Sequence, residues 1–229
     1  MAPLRPTLLP ILHSKAASME TLIPATLFMI ASHVVPGVPA IRSSLIEAMG
    51  RRLFLSAYSA VSIAALALVV WSYRAADPGL WLHFPSAGAK AFAVLVMPVP
   101  LFLLVARLTT PGKTAEPRGI YRVTAVPSSL SVLLWTLLHL AALGEARQAV
   151  IFAGMAAISL FSLVKNWRTA GPARRQAGIL PFSGIVRGRQ RFVWSEIGWS
   201  RLLMTVVLWA ALLLLHPVVI GPDPIAYVW

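Results

Sequence analysis

The sequence predicts an all-α fold, a polytopic bundle of about six membrane-spanning helices with a basic surface link before the last span. Apolar residues make up 58% of the 229 residues and charged residues only 12%, against roughly 25% charged in ordinary soluble domains. The mean hydropathy is +0.78. The apolar residues are gathered in long runs, and most basic residues lie between them. A small water-soluble core could not bury so much apolar surface, so lipid is the expected solvent.

Six apolar runs are the predicted spans, and each is compared with the roughly 17–25 residues that cross a bilayer. They are residues 21–40, 53–73, 87–106, 126–143, 149–164 and 199–220. The second, third and sixth runs meet that length easily, whereas the fourth and fifth are shorter. Residues 1–20 are expected to form an N-terminal tail, residues 21–222 the transmembrane domain and residues 223–229 a C-terminal tail.

The basic residues predict the orientation of the chain. The net charge is +13, and fifteen of the 20 Lys and Arg residues lie in the first, third and fifth links between spans. Links rich in Lys and Arg face the cytoplasm, so both termini are expected on the other side. The long fifth link mixes arginines with apolar residues and is expected to lie on anionic lipid. The lipid bilayer is therefore the expected partner, with other membrane proteins as candidates and nucleic acid excluded.

Prolines predict two interruptions of the spans. Pro36 and Pro39 flank Gly37 at the end of the first span, and Pro98 and Pro100 lie in the third. Proline lacks the backbone donor that a helix requires, so the first helix should break and the third should kink. Broken backbone at membrane depth needs cover from protein or a water-filled cavity.

A polar stripe marks the fourth span. Ser128, Ser131, Trp135 and His139 follow one another at steps of three, four and four, so they share one face of a helix. An ionisable side chain inside a membrane segment is costly and usually points into the protein toward a partner. His139 is therefore the first candidate site residue.

His33 is the second candidate, because it shares a face of the first span with Met29 one turn away. His33 lies about 18 Å from the outer end of its span and His139 about 20 Å from the inner end of its own. In a hydrocarbon core of about 30 Å, the two depths differ by only about 8 Å. Two imidazoles could then ligate one haem b between the first and fourth spans, with Met29 as a substitute ligand.

A plainer interpretation stands beside this one. A histidine in a span often only hydrogen-bonds a neighbouring serine or backbone carbonyl, without a cofactor. His216 ends the last span before Pro217 and is expected to cap that helix at the interface. His83 lies in a link and His13 in the N-terminal tail, where both are expected to be solvated.

Other kinds of site are disfavoured by the composition. The chain has no cysteine, which excludes thiolate metal sites, iron–sulfur clusters and a cysteine nucleophile. Its seven acidic residues all lie in links or at span ends, so catalysis by paired carboxylates is not expected. No phosphate-binding glycine loop, zinc-protease motif or serine-hydrolase motif is present.

Several ordered motifs resemble the NnrU family of integral membrane proteins. They are S-H-V-V-P-G-V-P-A-I-R from Ser32, L-F-L-S-A-Y-S-A-V-S from Leu53, G-I-Y-R-V-T from Gly119, W-T-L-L-H-L-A-A-L-G-E from Trp135 and L-L-L-L-H-P-V-V-I-G from Leu212. They cover nearly the whole chain after residue 20. The resemblance implies a bacterial cytoplasmic membrane protein that is an accessory in nitrite and nitric oxide reduction.

The resemblance also bears on the histidines. The NnrU family is related to the plastid 15-cis-zeta-carotene isomerase, a membrane enzyme that uses histidine-ligated haem b, and His33 and His139 match family histidines. Family members usually read R-H-P where this chain has Ala125, Val126 and Pro127. If that histidine has a role in the family, this departure puts the same role in doubt for this chain. It also weakens a likeness to membrane methyltransferases that bind S-adenosylmethionine.

Three hypotheses follow from the sequence. The first is an accessory membrane protein of nitrite and nitric oxide metabolism that holds haem b through His33 and His139. The second is a haem-dependent cis–trans isomerase of a polyene lipid. The third is a cofactor-free membrane scaffold in which serines and histidines only join helices.

Overall fold

The computed structural model describes residues 9–112 and 116–227, with the side chains of residues 19–112 and 116–226. Helices make up the fold, which confirms the all-α prediction. In chain order they are α1 (Leu9–Val34), α2 (Pro39–Met49), α3 (Arg51–Ala75), α4 (Ala87–Val96), α5 (Pro98–Leu108), α6 (Ile120–Val123), α7 (Pro127–Ala142), α8 (Ala146–Arg168), α9 (Pro172–Arg175), α10 (Ser183–Val186), α11 (Trp194–Ile197) and α12 (Trp199–Val219). Two short 3₁₀ helices cover Val35–Gly37 and Ile225–Tyr227.

Five helical stretches in the described residues are long and apolar enough to cross a membrane. They are Met19–Gly37, Arg51–Ala75, Ala87–Leu108, Ala146–Arg168 and Trp199–Val219. The fourth predicted run instead forms the 16-residue α7, about 24 Å long and shorter than the hydrocarbon core. The protein is therefore an integral membrane protein built as a helix bundle.

The bounds of the two predicted tails can be compared with the described residues only in part. Helix α1 begins at Leu9, inside the predicted N-terminal tail. Residues 1–8 of that tail lie outside the described residues, as do residues 228 and 229 of the predicted C-terminal tail.

Both proline interruptions are confirmed. Helix α1 ends at Val34, and the 3₁₀ turn that contains Pro36 separates it from α2, which begins at Pro39. The third span is divided at Met97 into α4 and α5, because Pro98 cannot donate to the carbonyl four residues earlier.

The chain forms two compact units. The first comprises Met1–Phe84 and Gly144–Gly154, and the second comprises Pro85–Leu143 and Met155–Trp229. His33 belongs to the first unit and His139 to the second.

In the first unit, α1 packs along α3, and small residues let helices approach closely. The buried residues Leu22, Ala25 and Met29 of α1 belong to its core. Gly154 of α8 lies so near α1 that a Cβ atom there would overlap the Cγ2 methyl of Thr26. Close approach of this kind is typical of helix packing in lipid, where van der Waals contact drives association.

A short loop pairing closes one end of the first unit. The Leu82 N–H donates to the Gly144 carbonyl at 2.8 Å, and the Ala146 N–H donates to the Leu80 carbonyl at 2.9 Å. The Arg147 guanidinium lies over the Tyr73 ring at 4.7 Å and donates to Glu145 at 2.6 Å. These contacts fix the link after α3 against the start of α8.

In the second unit, α5 packs against α7 and α12, and side chains cover the kinked third span. Because Pro98 has no N–H, the carbonyl of Val94 loses its helical donor. Trp209 of α12 supplies one, with Nε1 at 3.2 Å from the Val94 oxygen. Ser131 of the predicted polar stripe donates to the Pro100 carbonyl at 2.7 Å and is buried. The stripe therefore serves in part to join α7 to the kink.

Gly154→Ala should destabilise the first unit, although alanine is the better helix former by about 1 kcal/mol. The added methyl must displace Thr26, and overpacking of this kind typically costs about 1–3 kcal/mol. Thermal unfolding in detergent measures the effect. Gly171→Ala is the control, because no described atom of a neighbouring residue lies within 4 Å of the place that its Cβ would take. A Gly154→Ala protein as stable as the wild type would contradict this packing.

Trp209→Phe should lower the stability of the second unit by about 1–3 kcal/mol, the usual cost of a buried polar group left without a partner. The phenyl ring keeps most of the apolar contact but cannot donate to Val94. Trp199→Phe is the control, since Trp199 is 73% exposed. Equal unfolding temperatures for the Trp209 and Trp199 variants would show that the Val94 carbonyl does not need this donor.

Candidate functional site

His33 lies in the last turn of α1, just before the break. Its Nδ1 lies 2.8 Å from the carbonyl oxygen of Met29, one turn earlier. The Ser32 hydroxyl donates to the same carbonyl at 2.9 Å. The half-buried imidazole meets Tyr58 of α3 in a T-shaped arrangement, with ring centroids 6.0 Å apart and planes at 69°. Two helices of the first unit therefore position this ring.

His139 lies in the last turn of α7 and is held in a similar way. Its Nδ1 is 2.8 Å from the carbonyl oxygen of Trp135, again one turn earlier. The indole of Trp135 lies beside the imidazole, with ring centroids 4.4 Å apart and planes at 51°. The predicted neighbours Trp135 and His139 thus do share one face of α7.

The backbone contacts fix which ring nitrogen carries the proton. A carbonyl oxygen can only accept, so Nδ1 donates in both His33 and His139. In the neutral ring, Nε2 then keeps the lone pair, which is the arrangement found in histidines that bind a metal through Nε2. The donor chemistry of both residues therefore fits side chains that would hold a haem iron.

The other predicted residues take different places. Met29, the suggested substitute ligand, is 6% exposed and packs in the core of the first unit. His216 has Nδ1 at 2.7 Å from the Pro222 carbonyl oxygen, just beyond the end of α12. His83 is exposed in the link after α3. Within the described residues, no three His, Asp or Glu side chains come together in a group that could hold a metal ion.

A second candidate region lies in the second unit, where two long links interlock. We call it the loop cap and define it as residues 109–112, 116–126 and 169–201. Its core is apolar and includes Ile120, Tyr121, Val123 and Ile197. Backbone bonds join the two segments, from Ala125 N–H to the Gly178 oxygen at 2.8 Å and from Phe182 N–H to the Val123 oxygen at 2.9 Å. The long link is therefore folded onto its neighbour.

Glu196 is the central polar residue of the loop cap. Its carboxylate accepts from the Gly119 N–H at 2.6 Å and from Arg122 Nε at 2.9 Å, with a longer bond of 3.3 Å from Arg122 Nη2. Gly119 has φ of 54°, and a Cβ atom there would crowd Thr110 and the Glu196 carbonyl, so glycine is required. The ion pair therefore joins the start of α6 to α11.

Arg201, at the start of α12, adds hydrogen bonds beside the Glu196 ion pair. Its guanidinium donates to the carbonyl oxygens of Glu196 and Ile197 at 2.7 and 2.6 Å. It also donates to the Thr109 hydroxyl at 2.7 Å and the Thr109 carbonyl at 3.0 Å. One arginine thus satisfies carbonyls at the ends of both α5 and α11, as cationic side chains commonly do at helix C-termini.

Partial burial would by itself raise the pKa of Glu196. The hydrogen bonds from Arg122 and from the Gly119 backbone outweigh it, helped by the charges of Arg122 and Arg118, so the pKa of this carboxyl lies below its ordinary value. Glu196 therefore stabilises the loop cap while it is ionised.

Tyr121 of the loop cap is contacted by two cations. The Arg174 guanidinium carbon is 3.5 Å from the ring centroid and that of Arg107 is 5.6 Å away, while the tyrosine itself is 3% exposed. Cation–π contacts of this kind strengthen when water is excluded. Beside the ring is an open cleft of about 280 Å³.

The position at which family members usually have R-H-P is part of this apolar core. Ala125 and Val126 are 3% and 2% exposed, and Pro127 begins α7. In this chain these residues therefore contribute packing rather than a titratable group.

The loop cap was not predicted from the sequence. The fifth link was expected to be a surface segment, whereas Glu196 joins that link to Arg122 and Gly119 in the third link. One signal was present, because Glu196 is the only acidic residue between Glu145 and Asp223. A single carboxylate among many arginines favours a specific pairing.

The helices and their exposed apolar sides define a polytopic integral membrane protein. The family model described as NnrU protein matches residues 21–224, so the chain belongs to the NnrU family. The resemblance seen in the sequence motifs is thereby confirmed. Searches of curated proteins and of solved structures found no match.

Glu196→Gln should destabilise the protein at neutral pH by about 1–2 kcal/mol, since charge-assisted bonds are lost at a site that water partly screens. Because the folded pKa is lowered, the ionised carboxyl stabilises the fold above its ordinary pKa. This contribution is lost as the pH falls through the lowered value. Thermal unfolding in detergent should show the wild type and the variant converging in acid.

The control for this prediction is Glu47→Gln, because Glu47 is an exposed residue of α2. This control should match the wild type at every pH. A gap between the wild type and Glu196→Gln that persists unchanged in acid would contradict an ionised role for Glu196.

Proposed function

We propose that this NnrU-family protein is an accessory in nitrite and nitric oxide metabolism that binds haem b, which His33 and His139 would hold. Membership of the family supports the metabolic part of the proposal. The observation that best supports the haem part is the hydrogen bond that the two imidazole rings have in common. Each donates Nδ1–H to the carbonyl one turn earlier, so that each presents Nε2 as the basic nitrogen.

The surroundings of the two rings support this role. Each histidine is half-buried near the end of an apolar helix and lies against an aromatic side chain, Tyr58 for His33 and Trp135 for His139. The backbone bonds hold the rings in one orientation before any ligand arrives, which strengthens metal binding. A bound haem would supply redox chemistry or binding of a small nitrogen oxide at its iron.

The purified wild-type protein from haem-replete cells should show a Soret absorption band and bind about one haem per chain by pyridine haemochrome assay. His33→Ala and His139→Ala should each lose most of the bound haem, because each removes one axial nitrogen. His83→Ala and His216→Ala are matched controls, which should retain it. A colourless wild type, or equal haem loss in all four variants, would contradict the proposed ligands.

The metabolic part is tested separately in the native host. Cells that lack the gene should reduce nitrite and nitric oxide more slowly under low oxygen. The wild-type gene should restore the rate, and the His33→Ala gene should not. Unchanged rates in the deletion strain would contradict the metabolic role, whatever the absorption spectrum shows.

A further inference from the structure

An arginine-lined cleft lies on the loop cap, away from both candidate histidines in the sequence. It is open, has a volume of about 460 Å³ and is bordered by Arg175, Arg187 and Arg189. Gln176 and Ser183 add polar groups to its lining. Among the described residues, none of these three arginines forms an ion pair with a carboxylate. The cleft therefore combines several cations with no internal counter-ion, which favours an anionic ligand.

The borders of the same cleft are apolar. Leu180 lines it and is 69% exposed, and Val186, in the helix beside it, is 84% exposed. Phe182, between them, is 49% exposed and has φ of 64°, a left-handed conformation that a bulky residue rarely adopts. A soluble anion would give these apolar groups no contact. A ligand with a charged head and an apolar tail would satisfy both parts.

Aromatic side chains continue the apolar surface toward α12. Phe182 and Phe192 lie 6.1 Å apart by ring centroid, and Phe192 and Trp194 lie 6.2 Å apart. Trp194 in turn contacts Trp199 at 5.1 Å. Phe192, Trp194 and Trp199 are 45%, 40% and 73% exposed. Exposed aromatic rings at the end of a span are typical of the membrane–water interface.

Chain connectivity places the cleft at the membrane surface. The loop segment leaves α8 after Arg168 and enters α12 at Trp199, and both helices are long and apolar enough to cross the bilayer. The helices of the segment are only one turn long and cannot cross the bilayer, so the segment returns to the face at which it left. The anionic groups that it meets there are first of all the phosphates of lipids.

We propose that the arginine cleft is a binding site for an anionic phospholipid. The guanidinium groups of Arg175, Arg187 and Arg189 hold the phosphate, since arginine pairs with phosphate through two parallel hydrogen bonds. The acyl chains lie against Leu180, Phe182 and Val186. The site would anchor the loop cap to the leaflet, and it does not depend on whether haem is bound.

Native mass spectrometry of the full-length protein in detergent tests the site, with phosphatidylglycerol and phosphatidylcholine of identical acyl chains as probes. The wild type should bind phosphatidylglycerol selectively. Arg187→Gln with Arg189→Gln should weaken that binding about 30-fold, from the usual contribution of two cations beside an anionic lipid. Both residues are exposed, so the variant should still fold.

Three controls separate the site from general attraction. Arg51→Gln with Arg52→Gln removes the same charge from an exposed pair at the start of α3 and should change binding less than twofold. Leu180→Ser should weaken phosphatidylglycerol binding without changing the charge. Inorganic phosphate at millimolar concentration should not displace the lipid. Equal losses in the two arginine pairs, equal binding of both lipids, or displacement by phosphate would each overturn the proposal.

Discussion

The structure depends on one constraint, that a backbone carbonyl released by proline inside a membrane must find another donor. Water is absent from the hydrocarbon core, so a carbonyl left without a donor there costs about 1–3 kcal/mol. Pro98 removes the helical donor of the Val94 carbonyl, and the indole N–H of Trp209 in α12 donates to that carbonyl instead, at 3.2 Å. Ser131 of α7 donates to the Pro100 carbonyl in the same kink. The kink between α4 and α5 is thus also the point at which α7 and α12 join them.

The same principle acts outside the span, in the loop cap. Arg201 donates to the last carbonyls of α11 and to Thr109 after α5, and Glu196 accepts from the Gly119 N–H. These bonds satisfy groups that helix ends leave open. Once the loop cap is fixed, the fifth link becomes a folded surface instead of a flexible connection. Its arginines and exposed aromatic rings then acquire defined positions relative to α12.

Much of the fold follows from the sequence because lipid leaves few alternatives. Long apolar runs must become helices, and clustered prolines favour interruptions, so the break before Pro39 and the kink at Pro98 were predictable. Single prolines are tolerated, since Pro24 and Pro217 lie inside α1 and α12. The loop cap was not predictable, because contacts such as Thr124 with the Ile179 carbonyl join distant residues and leave no periodic pattern. The shortness of α7 was visible only in part, since the apolar run continues to Leu143 while the helix ends at Ala142.

The candidate histidines were selected from the sequence by residue type and position. Their hydrogen bonds were not predictable in detail. The plainer interpretation, in which each ring bonds a neighbouring backbone carbonyl, nevertheless describes Nδ1 of both rings. That bond and metal ligation are compatible, because the first occupies Nδ1 and the second would use Nε2. The plainer interpretation and the haem proposal therefore differ only in what Nε2 of each ring binds.

Electron paramagnetic resonance of the oxidised protein, purified from haem-replete cells, tests the haem proposal most directly. Two imidazole ligands make ferric haem low-spin, so the account predicts a low-spin signal that both His33→Ala and His139→Ala abolish. A high-spin signal in the wild type, or a low-spin signal that survives both substitutions, would contradict ligation by these two histidines.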